Sequence, residues 1–275
     1  MITKTNKYGE HLSIQEARAI AKEYGVTKLL GSNNKLDKQS DRAKGYILKG
    51  LSLAPANLSG YEMCPMRTPD CTKACIGVKS GHNRFNPAKQ AKINKTKLFW
   101  KASAVFMKLL RHELNNFVKY CEKKGKVGVV RLNTYSDVVW ERKFPAIFEE
   151  FSDLQFYDYT KIDMRGPMYE ANPADWPVNY HLTLSYTGYN WDECKQWLEW
   201  GQQVAVVFKD CWDNPLPDSW RGYPVVDGDE DDCRWLEDYG VIVGLRTKGS
   251  VKNAGPFFAD PKKLTVLNNY YKETK

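Results

Sequence analysis

Three cysteines fall close together in the run MCPMRTPDCTKACIGVKS (63–80): Cys64, Cys71 and Cys75, at the spacing C-x6-C-x3-C. Pro65 and Pro69 interrupt the run, and no helical or strand period links the thiols, so the stretch reads as a loop. Thiolates are soft ligands that suit zinc and iron–sulfur clusters, and three in one loop point to a metal more than to a packed core. Three ligands are one short of a closed tetrahedral site, so a fourth comes from elsewhere or one position stays open for chemistry. His82 extends the pattern to a Cys3His zinc site, although a lone His beside Gly81 is also an ordinary surface residue. Lys73 and Lys79 would favour the thiolate form. Iron–sulfur, zinc and unmetallated readings all remain open on spacing alone.

The charge pattern suggests a partner. The chain of 275 residues has a formal charge of +8, unevenly spread. Residues 1–126 carry 25 Lys and Arg against 9 Asp and Glu, and residues 127–275 carry 16 against 24. Between Asp70 and Glu113 there are ten basic residues and no acidic one. Such a stretch suits phosphates, a nucleotide, nucleic acid or an anionic cofactor, with Arg84, Lys89, Lys92, Lys97 and Lys101 as the contacts; a solvated basic face is the plainer alternative.

The elements that must hold these residues follow from periodicity. Residues 13–24 read as a helix with Ser13 and Glu16 as a capping box and Gly25 as its stop. A polar arm follows, then a strand in GYILKGLSLAP that delivers the chain to the cysteine loop. Asn86-Pro87 starts one long helix to about residue 122, with Leu98, Ala102, Val105, Phe106 and Leu109 on one face and Lys97, Lys101 and Lys108 on another. Strands in KVGVVRLN, LQFYDYTK, NYHLTLS, QQVAVVFK and VIVGLRTKG alternate with helices at 144–151 and in WDECKQWLEW. A Pro- and Asp-rich connection precedes the last strand.

This alternation predicts an α/β fold: a partial (β/α) barrel or a parallel sheet, with an N-terminal helical and loop extension. The expected division is 1–45 helix and arm, 46–260 one α/β domain, and 261–275 a tail. In such folds reacting groups collect at the C-terminal ends of strands. That rule gathers Asn133, Ser136, Asp137, Thr160, Lys161, Ser185, Arg246 and Lys248. Asp137 and Lys161 are the acid–base candidates, with a buried salt bridge as the alternative; Asn133, Ser136, Thr160, Ser185 and Lys248 would hold cofactor or substrate. Cys121, Cys194, Cys211 and Cys233 read as structural. The acidic run Asp227, Asp229, Glu230, Asp231 and Asp232 reads as a solvated turn, a divalent-cation site or a partner for the basic first half.

Several classes are excluded. No apolar run is long enough to span a bilayer, and the polar N-terminus lacks a signal-peptide core, which predicts a cytoplasmic protein with reduced thiols. There is no P-loop, no G-x-G-x-x-G and no G-x-S-x-G elbow.

The runs GLSLAPANLSG-YEMCPMRTPDCTKAC, VVRLNTYSDVVWE, FYDYTK, NYHLTLS, VAVVF and VVDGDEDDCRWLEDYGVIVGLRTKG resemble an uncharacterised family of bacteriophage proteins over 46–258. More distantly, the order of cysteine cluster, Ser-Asp strand end and Thr-Lys strand end resembles radical SAM proteins. That resemblance implies a four-iron, four-sulfur cluster on Cys64, Cys71 and Cys75, with S-adenosylmethionine on the fourth iron, inside a partial (β/α) barrel. The sequence departs from it in spacing, in Ala74 where an aromatic precedes the last cysteine, and in lacking a Gly-Gly-Glu-like stretch. Two functions follow. One is a radical SAM-like enzyme acting on a nucleotide, nucleic acid or other anionic substrate in the host cytoplasm. The other is a zinc-stapled nucleic-acid-binding phage protein without catalysis.

Overall fold

The structure, a computed structural model, describes residues 12–32, 45–79, 81–165, 176–209, 211, 214–247 and 255–261, with the backbone alone at His82. Residues 33–44 of the expected polar arm (31–45), Lys248 and the tail beyond 261 lie outside the described residues, and the arm's first residue, Gly31, is in a strand. The chain forms two compact units and passes between them more than once.

The first unit takes Met1–Pro65, Gly81–Asp158 and Ala174–His181. Helix α1 (Ile14–Glu23) begins at the expected capping box: the Glu16 N–H donates to Ser13 Oγ at 3.2 Å and the Ser13 N–H to Glu16 Oε2 at 2.8 Å. Strand β1 (Leu30–Gly31) runs antiparallel to β2 (Tyr46–Leu51), β2 parallel to β3 (Val127–Arg131), and β3 parallel to β4 (Leu154–Thr160), which is paired here through Phe156. Glu113 fixes β1 by accepting the N–H groups of Leu29 and Leu30 at 2.7 and 2.8 Å.

The single long helix expected from Asn86 is two helices, α2 (Asn86–Lys101) and α3 (Ser103–Lys124). The break is Ala102, at φ −140° and ψ 58°. Its N–H still bonds to Leu98 O and its carbonyl accepts Phe106 N–H, so the apolar pattern runs on through the corner. No Pro or Gly marks it, which hides it from sequence. Leu98, Ala102, Val105, Phe106 and Leu109 are all buried, as their spacing predicts. Cys121 is buried too, against β3 at Gly128, where a Cβ would lie 3.0 Å from its sulfur and 2.5 Å from Leu154 Cδ2. Glycine is what lets α3 approach the strand this closely.

The second unit takes Met66–Ser80, Tyr159–Pro173 and Leu182–Lys275. Strand β5 (Tyr180–Ser185) pairs here through Leu184 and Ser185 in parallel with β6 (Val204–Phe208); β6 pairs in parallel with β9 (Ile242–Arg246), and β9 with β8 (Tyr223–Asp227). The short β7 (Ser219–Trp220) closes the edge antiparallel to β8. These two strands lie in the stretch expected to be an irregular connection. Their hairpin turns on Arg221 and Gly222, at φ 52° and 84°, a two-residue turn with both φ values positive. Helix α4 (Trp191–Glu199) forms where the aromatic helix was expected.

The cysteine segment is not an open loop. It contains two helical turns, Pro69–Lys73 and Ile76–Lys79. Thr68 caps the first by accepting the Cys71 N–H at 3.1 Å, with Pro69 at the first helical position. Thr-Pro-Asp is itself a helix start, and its force outweighs the interruptions by proline. The α/β class and the mainly parallel pairing agree with the sequence, as open runs of strands in each unit.

Candidate functional site

In the first unit the turn after β3 carries Asn133, Thr134, Tyr135, Ser136 and Asp137. The amide of Asn133 donates to Val138 O at 2.9 Å and Asp158 Oδ2 at 3.3 Å. Its Oδ1 accepts from Ser136 Oγ and Val138 N at 2.9 Å and from Trp140 Nε1 at 3.3 Å. The Asn133 N–H donates to Asp158 Oδ1 at 2.7 Å, and the Tyr180 hydroxyl to Asp158 Oδ2 at 3.0 Å. Asn133 and Ser136 thus brace this turn around a fully buried carboxylate. Asp158 escaped sequence reading, although an Asp inside the aromatic strand LQFYDYT was the available signal.

Asp137 is buried, and its N–H donates to Met63 O at 2.7 Å, tying the turn to the start of the cysteine segment. Cys64 follows Met63. Its thiol faces Tyr135 O at 3.5 Å and accepts the Ala56 N–H at 3.4 Å, and its own N–H donates to Glu62 Oε1 at 2.9 Å.

The basic helix α2 divides by burial. Lys92 is turned inward: its amine donates to Asn83 Oδ1 at 2.7 Å and lies 4.9 Å from the Tyr135 ring centroid, while Asn83 Nδ2 donates to the Tyr135 hydroxyl at 2.9 Å. Lys95 donates to Leu29 O at 2.8 Å, and burial lowers its pKa. Arg84 and Lys101 are exposed, and Lys89 and Lys97 half-buried. At the C-terminal end of α2, Trp100 stacks on Tyr61 with centroids 5.3 Å apart and planes 9° apart. The Lys143 amine sits 4.3 Å from the Trp100 centroid and 4.8 Å from that of Phe99. Nothing in the local sequence announces this column, because Tyr61 and Trp100 belong to different elements.

In the second unit Asp70 is buried and accepts the Tyr189 hydroxyl at 3.2 Å, with the Lys73 amine 3.9 Å away. Thr160 is buried, and its Oγ1 accepts the Ile162 N–H at 3.0 Å. The Lys161 amine lies 5.8 Å from the Phe257 centroid. Ser185 pairs with Ala205, and its carbonyl accepts Asn190 Nδ2 at 3.2 Å. Arg246 binds Asp227 at 2.8 Å and lies 3.6 Å from Asp229, and these contacts raise its pKa, the Asp227 hydrogen bond foremost. The buried Arg234 pairs with Glu237 and lies 4.0 Å from Asp231. The acidic run therefore finds arginines within its own unit.

All seven cysteines are free thiols, and they differ in exposure: Cys64, Cys71 and Cys75 are partly exposed, while Cys121, Cys194, Cys211 and Cys233 are buried. Burial pushes the Cys194 and Cys233 thiols up to about 12. Among the described residues no three His, Cys, Asp or Glu side chains gather into a group that could hold a metal ion. The His82 side chain and Lys248 lie outside those residues. Among them, no helix is long and apolar enough to cross a membrane.

No curated protein and no solved structure matches the chain. The sequence model of one family, described as Gene product 88, matches residues 27–260 and encloses the whole 46–258 stretch in which a family resemblance was expected. That match brings neither iron–sulfur nor radical SAM chemistry with it. Since it extends over most of the chain, this protein belongs to the Gene product 88 family.

Proposed function

We propose that this is a bacteriophage protein of the host cytoplasm that binds nucleic acid through its first unit. The observation that carries the reading is helix α2, with five lysines and no acidic residue over Asn86–Lys101. The amines of two of the five, Lys92 and Lys95, are used internally, whereas no hydrogen bond or ion pair engages the amines of Lys89, Lys97 or Lys101 among the described residues. These three amines can meet phosphates without first breaking an internal contact, and the exposed Arg84 ahead of the helix, whose Nε donates to Gly81 O at 3.3 Å, offers its terminal guanidinium nitrogens beside them. The test is fluorescence anisotropy of labelled oligonucleotides across a salt series. Binding should weaken steeply with salt, and Lys97→Ala and Lys101→Ala should each reduce the slope of log K against log salt by about one. Absence of salt-sensitive binding at low ionic strength would sink the reading.

A second reading rests on the cysteines. Cys64, Cys71 and Cys75 lie within twelve residues of one another and are the partly exposed members of the seven, in reach of an incoming metal or cluster, whose soft ligands thiolates are. An enzyme using S-adenosylmethionine, with Asp137 and Lys161 as acid–base groups, belongs to this reading. Metal and sulfide analysis after anaerobic purification decides it, on wild type and on the Cys64→Ala, Cys71→Ala, Cys75→Ala triple variant. Iron with acid-labile sulfide, lost in the variant, supports the cluster. Stoichiometric zinc in colourless protein removes the radical chemistry, and absence of both metals removes the reading.

A further inference from the structure

Trp100 is a large aromatic left 39% exposed, yet it is tightly held. Its neighbour Phe99 is buried and meets it edge-on, with centroids 5.9 Å apart and planes at 88°. Its indole N–H points to Met63 Sδ at 3.0 Å. The Lys143 amine lies 4.3 Å from its centroid, and Tyr61 stacks nearly parallel to it. The arrangement is a column of cation, indole and phenol, with the half-exposed Tyr61 as a member that has no second ring stacked on it among the described residues. Glu62, the acid next to Tyr61, turns a carboxylate oxygen to the Cys64 N–H.

The column stands beside the lysines already assigned to phosphates. Lys97 precedes Trp100 by three positions, so the two are neighbours on the helix surface, and Lys101 follows directly. From Lys89 to Lys101 the helix rises roughly 18 Å at about 1.5 Å per residue. A base needs a flat, preorganised aromatic face, and its backbone needs cations alongside; both are present on one helix end of the first unit. Bases in a duplex already stack on each other and show no free face, whereas unpaired bases do.

Building on the nucleic-acid reading above, we propose that Tyr61 and Trp100 form a stacking platform for an unpaired nucleobase, so that the ligand is a single strand. Lys97 and Lys101 hold the flanking phosphates. The amine of the exposed Lys143 lies against the Trp100 ring.

The experiment uses the full chain with labelled oligodeoxythymidine and a duplex of equal length. Wild type should bind the single strand more tightly and show quenched tryptophan fluorescence on binding. Tyr61→Ala should weaken single-strand binding about ten-fold, leave duplex binding and the salt slope unchanged, and melt like wild type, while Tyr61→Phe should restore wild-type binding. If a folded Tyr61→Ala variant keeps wild-type single-strand affinity, or loses both ligands equally, the platform is overturned while the basic-helix reading stands. If neither ligand shows salt-sensitive binding to wild type, the basic-helix reading falls and the platform with it.

Discussion

Gly255 meets Asp70 so closely that no side chain fits between them: a Cβ at 255 would lie 2.7 Å from Asp70 Oδ2. Gly255 also has φ +55°, a conformation costly for other residues. Gly255→Ala should therefore destabilise the second unit by about 1–3 kcal/mol and loosen the Pro69–Lys73 turn. The measurement is the alkylation rate of Cys71 beside a melting curve. An unchanged rate and an unchanged melt would show that the turn is held by other contacts.

Lys92 and Lys97 share a helix and a charge but should behave differently. Lys92→Ala removes the amine that donates to Asn83 Oδ1 and lies over the Tyr135 ring, at a cost of about 1–3 kcal/mol. Lys97→Ala should leave the melting temperature within error and reduce nucleic-acid binding. Thermal melts and anisotropy on both variants check the contrast, and equal effects on stability would contradict it.

The Asp158 carboxylate holds the turn after β3 by accepting from the Asn133 N–H and the Tyr180 hydroxyl. Asp158→Ala removes a buried acceptor and strands these donors, which should cost about 3 kcal/mol. Ser136→Ala removes one hydrogen bond to Asn133 Oδ1, which keeps Val138 and Trp140 as donors, and should cost about 1 kcal/mol. Urea titrations measure both, and the order of the two variants is the decisive result.

Thiol chemistry should separate the cysteines. In native protein at mildly alkaline pH, iodoacetamide should label Cys64, Cys71 and Cys75 and spare the four buried thiols, as read by peptide mass spectrometry. Labelling of Cys194 before Cys71 would contradict the fold around α4.

The pH dependence of stability follows from the same burial. Cys194 and Cys233 are raised from 9.0 to about 12 in the folded protein. As pH rises through this window the unfolded chain loses these protons first, so it binds fewer than the native state and stability falls. The stabilisation is full below about 9 and is lost progressively towards about 12. Cys194→Ala should flatten the alkaline limb of a stability–pH curve. A limb as steep as in wild type would assign the loss to other groups.

Residues that act on neighbours within a turn or a strand could be read directly from the chain. Ser13 and Glu16 cap α1 because both partners lie inside one turn, and the strand runs after Lys126 form because β-branched and aromatic residues alternate there. The charge asymmetry and the grouping of Cys64, Cys71 and Cys75 are likewise properties of order along the chain. Path through space decided the rest. Ala102 turns the helix without a breaking residue, Lys92 goes inside while Lys101 stays out, and Trp100 finds Tyr61 from another element. Asp227 and Asp229 meet Arg246, seventeen or more positions along the chain. Helix caps and periodicity are short-range forces legible in a few residues. Burial, stacking and ion pairing depend on which distant segment the fold brings alongside, and that is settled only when the whole core packs.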